Sequence, residues 1–192
     1  EMRPPHTESN LYQYHLKRLV ESGYIEKKGE YYTLSSKGLQ YADTHSGELK
    51  SQRPQPKLVT LLYLTNSKGE VLLVPRSKQP FIGKYSLPSG KIHQAETLEQ
   101  AGLRELREKV GHTQPLRLTF NGTVHHTICA EDGTLISELY GYVLRGRLET
   151  AGVEDARFVV PRTAKLADLV PGMQQILQEK AVPFTEIYAQ VS

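Results

Sequence analysis

The sequence predicts an α/β fold, a sandwich built on a mixed sheet, preceded by a small helix–hairpin–helix segment. Three observations predict it. An apolar, β-rich run over Leu58–Thr65 meets a turn at Asn66–Gly69 and a returning run over Glu70–Arg76. One amphipathic helix, capped near Thr97 and stopped at Gly111, separates this pair from a later set of strand-like segments. A further helical stretch follows near the end, so strands flank one central helix and a second helix comes late.

Composition bounds the class of protein. The 192 residues are 38% hydrophobic and 23% charged, which describes a soluble globular chain able to build a core. The net charge of +3 permits nucleic acid or anionic ligands as partners and demands neither. A single cysteine, Cys129, excludes an intrachain disulfide framework and fits a reducing cytoplasm. No apolar run is long enough to span a bilayer, and no signal-peptide pattern opens the chain, so a membrane partner is not expected. The chain begins with Glu1 rather than Met, and the expectation is a processed or partly covered version of something longer.

Two domains and a hinge are expected: residues 1–49, a linker over 50–57, and residues 58–192. The linker KSQRPQPK is polar, carries two prolines and has no apolar periodicity. Before it, Ser9 or Asn10 caps a helix through about Ser22, with an apolar stripe of Leu11, Tyr14 or His15, Leu16, Leu19 and Val20. Gly23 stops it. Tyr24–Glu26 and Tyr31–Leu34 flank Lys27-Lys28-Gly29-Glu30 as a short hairpin, and Ser35 or Ser36 caps a second helix to about Ala42.

This order, HLKRLVESGYIEKKGEYYTLSSKG, resembles part of a winged helix-turn-helix domain over about residues 1–46. The resemblance implies a groove-facing first helix offering Asn10, Tyr12, Gln13, Lys17 and Arg18 to DNA, with Lys27 and Lys28 at the wing tip near phosphates. It also implies that the helices normally preceding this part lie outside the chain. Glu8, Glu21, Glu26 and Glu30 dilute the basic residues, and a packing or dimerisation module is the plainer reading of the same segment.

In the second domain, strands are expected over Leu116–Phe120, about Thr123–Ala130 and Thr134–Arg145, the last two joined by a hairpin turn at Glu131-Asp132-Gly133. Arg157–Val160 is a further short strand, and Leu166–Val170 and Gly172–Lys180 read as helical.

The chemistry concentrates in the run from Gly90 to Gly111, GKIHQAETLEQAGLRELREKVG. Gly90 lets the backbone approach a ligand or ion closely. Thr97 caps the helix, Gln100 completes a capping box, and Leu98, Ala101, Gly102, Leu106 and Val110 form the apolar stripe. Gly102 costs about 1 kcal/mol relative to alanine, so close packing against a neighbour is expected there. Arg104, Glu105, Glu108 and Lys109 are placed on the opposite face. Two carboxylates beside a glycine loop supply oxygen ligands for a hard cation held against a phosphate. A Glu and Lys four residues apart also make routine surface pairs worth a few tenths of a kcal/mol.

The spacing as a whole resembles the Nudix box: a glycine, five residues, Glu, seven residues, then Arg-Glu-aliphatic-x-Glu-Glu-x-Gly. Gly90, Glu96, Arg104-Glu105, Leu106, Glu108 and Gly111 match it, and the resemblance extends over about residues 57–190. It implies a Nudix-type α/β/α sandwich with a mixed sheet and a Mg²⁺ or Mn²⁺ cofactor held by Glu105, Glu108 and the Gly90 backbone. Glu105, Glu108 and Arg104 are the catalytic residues it implies, with Arg104 holding the carboxylates together with Glu96.

Two residues depart from the pattern: Lys109 replaces the second Glu of the acidic pair, and His112 an aliphatic residue. One charge pair about 4 Å apart is worth roughly 4 kcal/mol at an effective dielectric of about 20, so an ammonium at that position weakens a metal site. Lys109 could instead meet substrate phosphate or pair with Glu105. Arg76, Lys84 and Lys91 are further candidate phosphate contacts, and Phe81 and Tyr85 candidate stacking residues. Glu131, Asp132 and Glu138 are candidate distant acids, read first as turn and surface residues. His125 and His126 fall on opposite faces of a strand, so at most one enters the site.

The resemblance implies a Mg²⁺-dependent pyrophosphohydrolase acting on a nucleoside diphosphate-linked small molecule. The alternative is a nucleotide-sensing, DNA-binding transcriptional regulator with a catalytically impaired Nudix domain, because fusions of the two domain types form regulators. A homodimer built through the N-terminal segment is the third expectation.

Overall fold

The computed structural model describes residues 9–44, 55–178 and 184–191. Most of the linker expected over 50–57 therefore lies outside the described residues, and so do residues 1–8, before the first helix, and 179–180, at the end of the last expected one.

Helix α1 (Ser9–Glu21) ends where Gly23 turns into the left-handed region at φ 74°. Strands β1 (Ile25–Lys28) and β2 (Tyr31–Leu34) pair antiparallel through a turn at Gly29. Helix α2 (Ser36–Thr44) is capped by Ser35, whose Oγ accepts the Gly38 N–H at 3.1 Å and donates to the Gly23 carbonyl. The expected apolar stripe of α1 is corrected here. Leu16 is buried, whereas Leu11, Tyr14, Leu19 and Val20 stay exposed, because no described element covers that face.

The sheet takes eight strands: β3 (Lys57–Thr65), β4 (Val71–Pro75), β5 (Tyr85–Ser86), β6 (Ser89–Lys91), β7 (Thr119–Ala130), β8 (Leu135–Arg147), β9 (Arg157–Val159) and β10 (Phe184–Val191). Its main path runs β10-β7-β8-β3-β4-β5, with β6 on β3 and β9 on β4. β3 pairs parallel with β8 and β7 parallel with β10, while the remaining pairs are antiparallel, so the sheet is mixed.

Alternation along β3 separates two cores. Val59, Leu61 and Tyr63 face one side, with Met173, Ile176 and Leu177 of α4 (Met173–Gln178). Leu62 and Leu64 face the other, with Leu106 and Val110 of α3 (Leu98–Val110). The Tyr63 hydroxyl donates to the Leu177 carbonyl at 3.0 Å, tying α4 to the sheet. The result is helix, sheet, helix.

Gly102 packs as expected. A β-carbon there would lie 2.6 Å from Leu144 and 2.8 Å from Leu118. Other expectations change. Lys57, assigned to the linker, opens β3 instead. The expected Leu166–Val170 helix shortens to one 3-10 turn, Leu166–Asp168. β5, β6 and β10 carry too little alternation to be read from sequence, and their partners create them.

Candidate active site

β6 brings the glycine loop to the sheet, with Thr60 opposite Gly90 and Leu61 opposite Ser89. The Leu62 N–H donates to the Pro88 carbonyl at 2.9 Å and secures the approach. The helix that follows begins with the expected capping box, in which the Gln100 N–H donates to Thr97 Oγ1 at 3.2 Å and the Thr97 N–H to Gln100 Oε1 at 2.8 Å. It ends at Gly111 with φ 70°.

Arg104 organises the carboxylates. Its Nε and Nη2 donate to the two Glu96 oxygens at 2.6 and 2.8 Å, a bidentate pair, and Nη2 also donates to the Lys91 carbonyl at 2.8 Å. Nη1 donates to Glu105 Oε1 and stands 3.6 Å from Glu108 Oε2. The Arg104 hydrogen bonds, helped by the His93 N–H, hold the Glu96 carboxyl down to about 2. The same bonds, Glu96 foremost, raise the Arg104 guanidinium above its ordinary value.

Glu105 corrects an expectation. It is only 3% exposed and lies on the buried face of α3, whereas Glu108 and Lys109 point to solvent. The reason is contact with Gly90, which has no side chain to block the carboxylate. Glu105 Oε2 is buried without a hydrogen-bond partner, as is Oγ1 of Thr60, which pairs with Gly90 from the neighbouring β3. A buried carboxylate oxygen left over in this way is costly unless a cation or donor meets it.

Among the described residues no three or more His, Cys, Asp or Glu residues are placed to hold a metal. Glu105 touches Gly90 and Glu108 stands beside it at Arg104, so these two carboxylates, with backbone oxygens of the loop, are the candidate donors. That set fits Mg²⁺, which binds through one or two carboxylates and keeps waters or substrate phosphates in its remaining positions.

A cleft lies on the opposite face of β6. Ser89 and Gly90 are consecutive, so the cleft and the carboxylates meet across one strand. Lys57, Arg76, Ser89, His126 and Ser137 line its polar part, and Phe81 with Met173 and Ile176 of α4 its apolar part, around a cavity of about 40 Å³. Arg76 Nε donates to the Pro80 carbonyl at 2.9 Å, and burial lowers its guanidinium pKa. His126 is the histidine that turns inward. Burial pushes its imidazole down to about 4, against a backbone hydrogen bond to Pro171, and Nε2 has no partner. His125 turns the other way, stacking on Tyr140 at 4.3 Å and meeting Glu138 at 2.9 Å.

The other expected residues scatter. Lys84 Nζ donates to the Ala167 carbonyl, Lys91 is exposed beside the loop, and Tyr85 lies under Arg157 at 4.4 Å. Glu131 and Asp132 occupy the exposed β7–β8 turn. Asn10, Gln13, Lys17, Arg18, Lys27 and Lys28 are all exposed, with Lys17 and Arg18 within 3.9 and 3.8 Å of Glu21. Thr60, Lys57, Ser137 and Asp43 escaped the sequence reading, because no local spacing joins them.

A mixed sheet between two helices, with a glycine strand set against a carboxylate-bearing helix, is the architecture of the Nudix family. Residues 55–179 match the model of the NUDIX domain, and the chain belongs to that family. It is 41% identical over 54 residues to the 8-oxo-dGDP phosphatase NUDT18 of Danio rerio, covering 28% of this chain and 17% of that protein. It is 40% identical over 43 residues to an ADP-ribose pyrophosphatase of Methanocaldococcus jannaschii, covering 22% of this chain and 25% of that protein. The matches thus span a quarter or less of either relative. The fold is similar to that of the E. coli dihydroneopterin triphosphate pyrophosphohydrolase, with a TM-score of 0.51 and 17% identity over 66% of this chain and 97% of that one. No helix among the described residues is long and apolar enough to cross a membrane.

Proposed function

We propose that this chain is a Nudix-type pyrophosphohydrolase that cleaves the phosphoanhydride of a nucleoside diphosphate-linked small molecule with Mg²⁺ or Mn²⁺. One observation carries the reading: Glu105 is buried against Gly90 with Oε1 clamped by Arg104 and Oε2 left without a partner. Glu105, Glu108 and the Gly90 backbone would hold the cation. When bound, it would polarise the bridging phosphates and favour attack of water on phosphorus.

The chain's own residues supply orientation. Arg104 holds Glu105 pointed at the loop, and Glu96 fixes Arg104 in turn. Arg76 and Lys57 offer positive charge to the phosphates, while Phe81 offers a face to a base. Lys84, Lys91 and Lys109 stand farther out as steering charges. The two curated relatives act on nucleoside diphosphate compounds by name, which supports that substrate class. A domain boundary near residue 57 and a cytoplasmic setting belong to the same reading.

The test is turnover of ADP-ribose and 8-oxo-dGDP by the full chain with Mg²⁺ or Mn²⁺, and its loss in Glu105→Gln. No turnover across a broad panel, together with turnover in Lys109→Glu, would overturn the enzyme reading. It would favour a nucleotide-sensing regulator with an impaired Nudix domain. The observation favouring that second reading is the joint between α2 and β3, where Asp43 pairs with Lys57. In it the exposed α1 and the Lys27-Lys28 hairpin would meet DNA, which a gel shift with and without nucleotide reads directly.

A further inference from the structure

The cleft beside β6 carries two cations and no acid of its own. Lys57 and Arg76 both line it, and its lining includes no Asp or Glu. The acid comes from elsewhere in the chain. Asp43, in the last turn of α2, is 6% exposed, and its Oδ1 pairs with Lys57 Nζ, which also donates to Ser137 Oγ at 3.0 Å. Leu39, one helical turn earlier, packs against the core on this same side of the sheet. The Asp43 charge also acts on Arg76, opposing the effect of its burial.

A half-buried lysine and arginine side by side carry a desolvation cost that a neighbouring anion offsets. A carboxylate is a small, singly charged version of the group that a phosphate would present. We propose that Lys57 and Arg76 form an anion seat which α2 fills with Asp43, so that a phosphate-bearing ligand and the docked α2 exclude each other. The inference rests on the reading of this cleft as the site of a nucleoside diphosphate. It adds that the ligand reports its arrival by releasing the helix–hairpin–helix segment. Occupancy of the cleft is then converted into the freedom of residues 36–44. The relation is reciprocal: whatever holds α2 in place weakens ligand binding by the same factor.

The experiment uses the full chain without divalent cation, so that binding is read apart from turnover. ADP and inorganic pyrophosphate are titrated by calorimetry into the wild type, Asp43→Asn and Leu39→Ala. Both variants should bind about tenfold more tightly, Asp43→Asn by removing the competing charge and Leu39→Ala by loosening the docking of α2 while leaving the Asp43 and Lys57 side chains unchanged. Hydrogen exchange of the wild type supplies a second measurement that needs no variant, and amides of 36–44 should exchange faster when ADP saturates the cleft. Unchanged or weaker binding in both variants, slower or unaltered exchange over 36–44, or no binding by any of the three proteins would each overturn the proposal. Failure here with intact Mg²⁺-dependent turnover removes the plug and leaves the hydrolase; the converse removes the hydrolase and leaves a ligand-operated joint.

Discussion

Glu105 and Gly90 are in direct contact: a β-carbon on residue 90 would lie 1.7 Å from Glu105 Oε1. The helix carboxylate therefore rests on backbone, and the loop glycine is a matter of space for its neighbour as well as of its own conformation.

Gly90→Ala should displace that carboxylate. Turnover is expected to fall by about 100-fold, because a shift near 1 Å at a reacting group is enough for that loss. Overpacking should also lower stability by roughly 1–3 kcal/mol, read as a lower urea midpoint. An alanine variant with wild-type kcat would show that the Glu105 position is irrelevant to the chemistry.

Glu105→Gln keeps the shape and removes the charge. Turnover should drop by about 100-fold or more, and Mg²⁺ affinity measured by calorimetry should fall with it. Arg104 keeps its bidentate partner Glu96, so the melting temperature should change little. A kcat within threefold of wild type would move the chemistry to another residue.

Lys109→Glu acts in the opposite direction. The side chain is exposed, so the change of two charge units is screened and its effect is largest at low salt. Mg²⁺ should bind about tenfold more tightly at low ionic strength, with the gain shrinking as salt is added. An unchanged titration would place the cation away from the end of α3.

His126 makes stability depend on pH. Burial holds its imidazole at about 4 against an ordinary 6.5, so the unfolded chain takes up the proton first as pH falls. The stability it supplies is complete above pH 6.5 and is lost progressively down to about 4. The full loss is about 3 kcal/mol, and His126→Gln should flatten that limb in denaturant titrations run from pH 7 to 4. An identical acid limb in the variant would assign it to other groups.

The helix and its caps were legible because their signals are local. Thr97, Gln100 and Gly111 sit at fixed offsets from the apolar stripe, and the structure places them as cap, box and stop. The β3–β4 and β7–β8 hairpins were legible for the same reason, each bracketed by a glycine-containing turn. β10 was not, since it is half exposed and pairs in parallel with a strand more than 50 residues away. The stripe of α1 misled because amphipathic spacing reports which face is apolar and says nothing of what covers it.

Sequence by itself determined the family pattern, the carboxylates on α3 and the glycine that precedes them, because all of these follow from spacing along one stretch of chain. Tertiary structure alone decided that Glu105 is buried and Glu108 exposed, since their separation depends on how α3 meets β6. It also decided that Lys57 belongs to a cleft rather than a hinge, with Asp43 as its partner. Spacing carries contacts within a helix or hairpin, but a charge pair between separate elements exists only once the sheet has assembled.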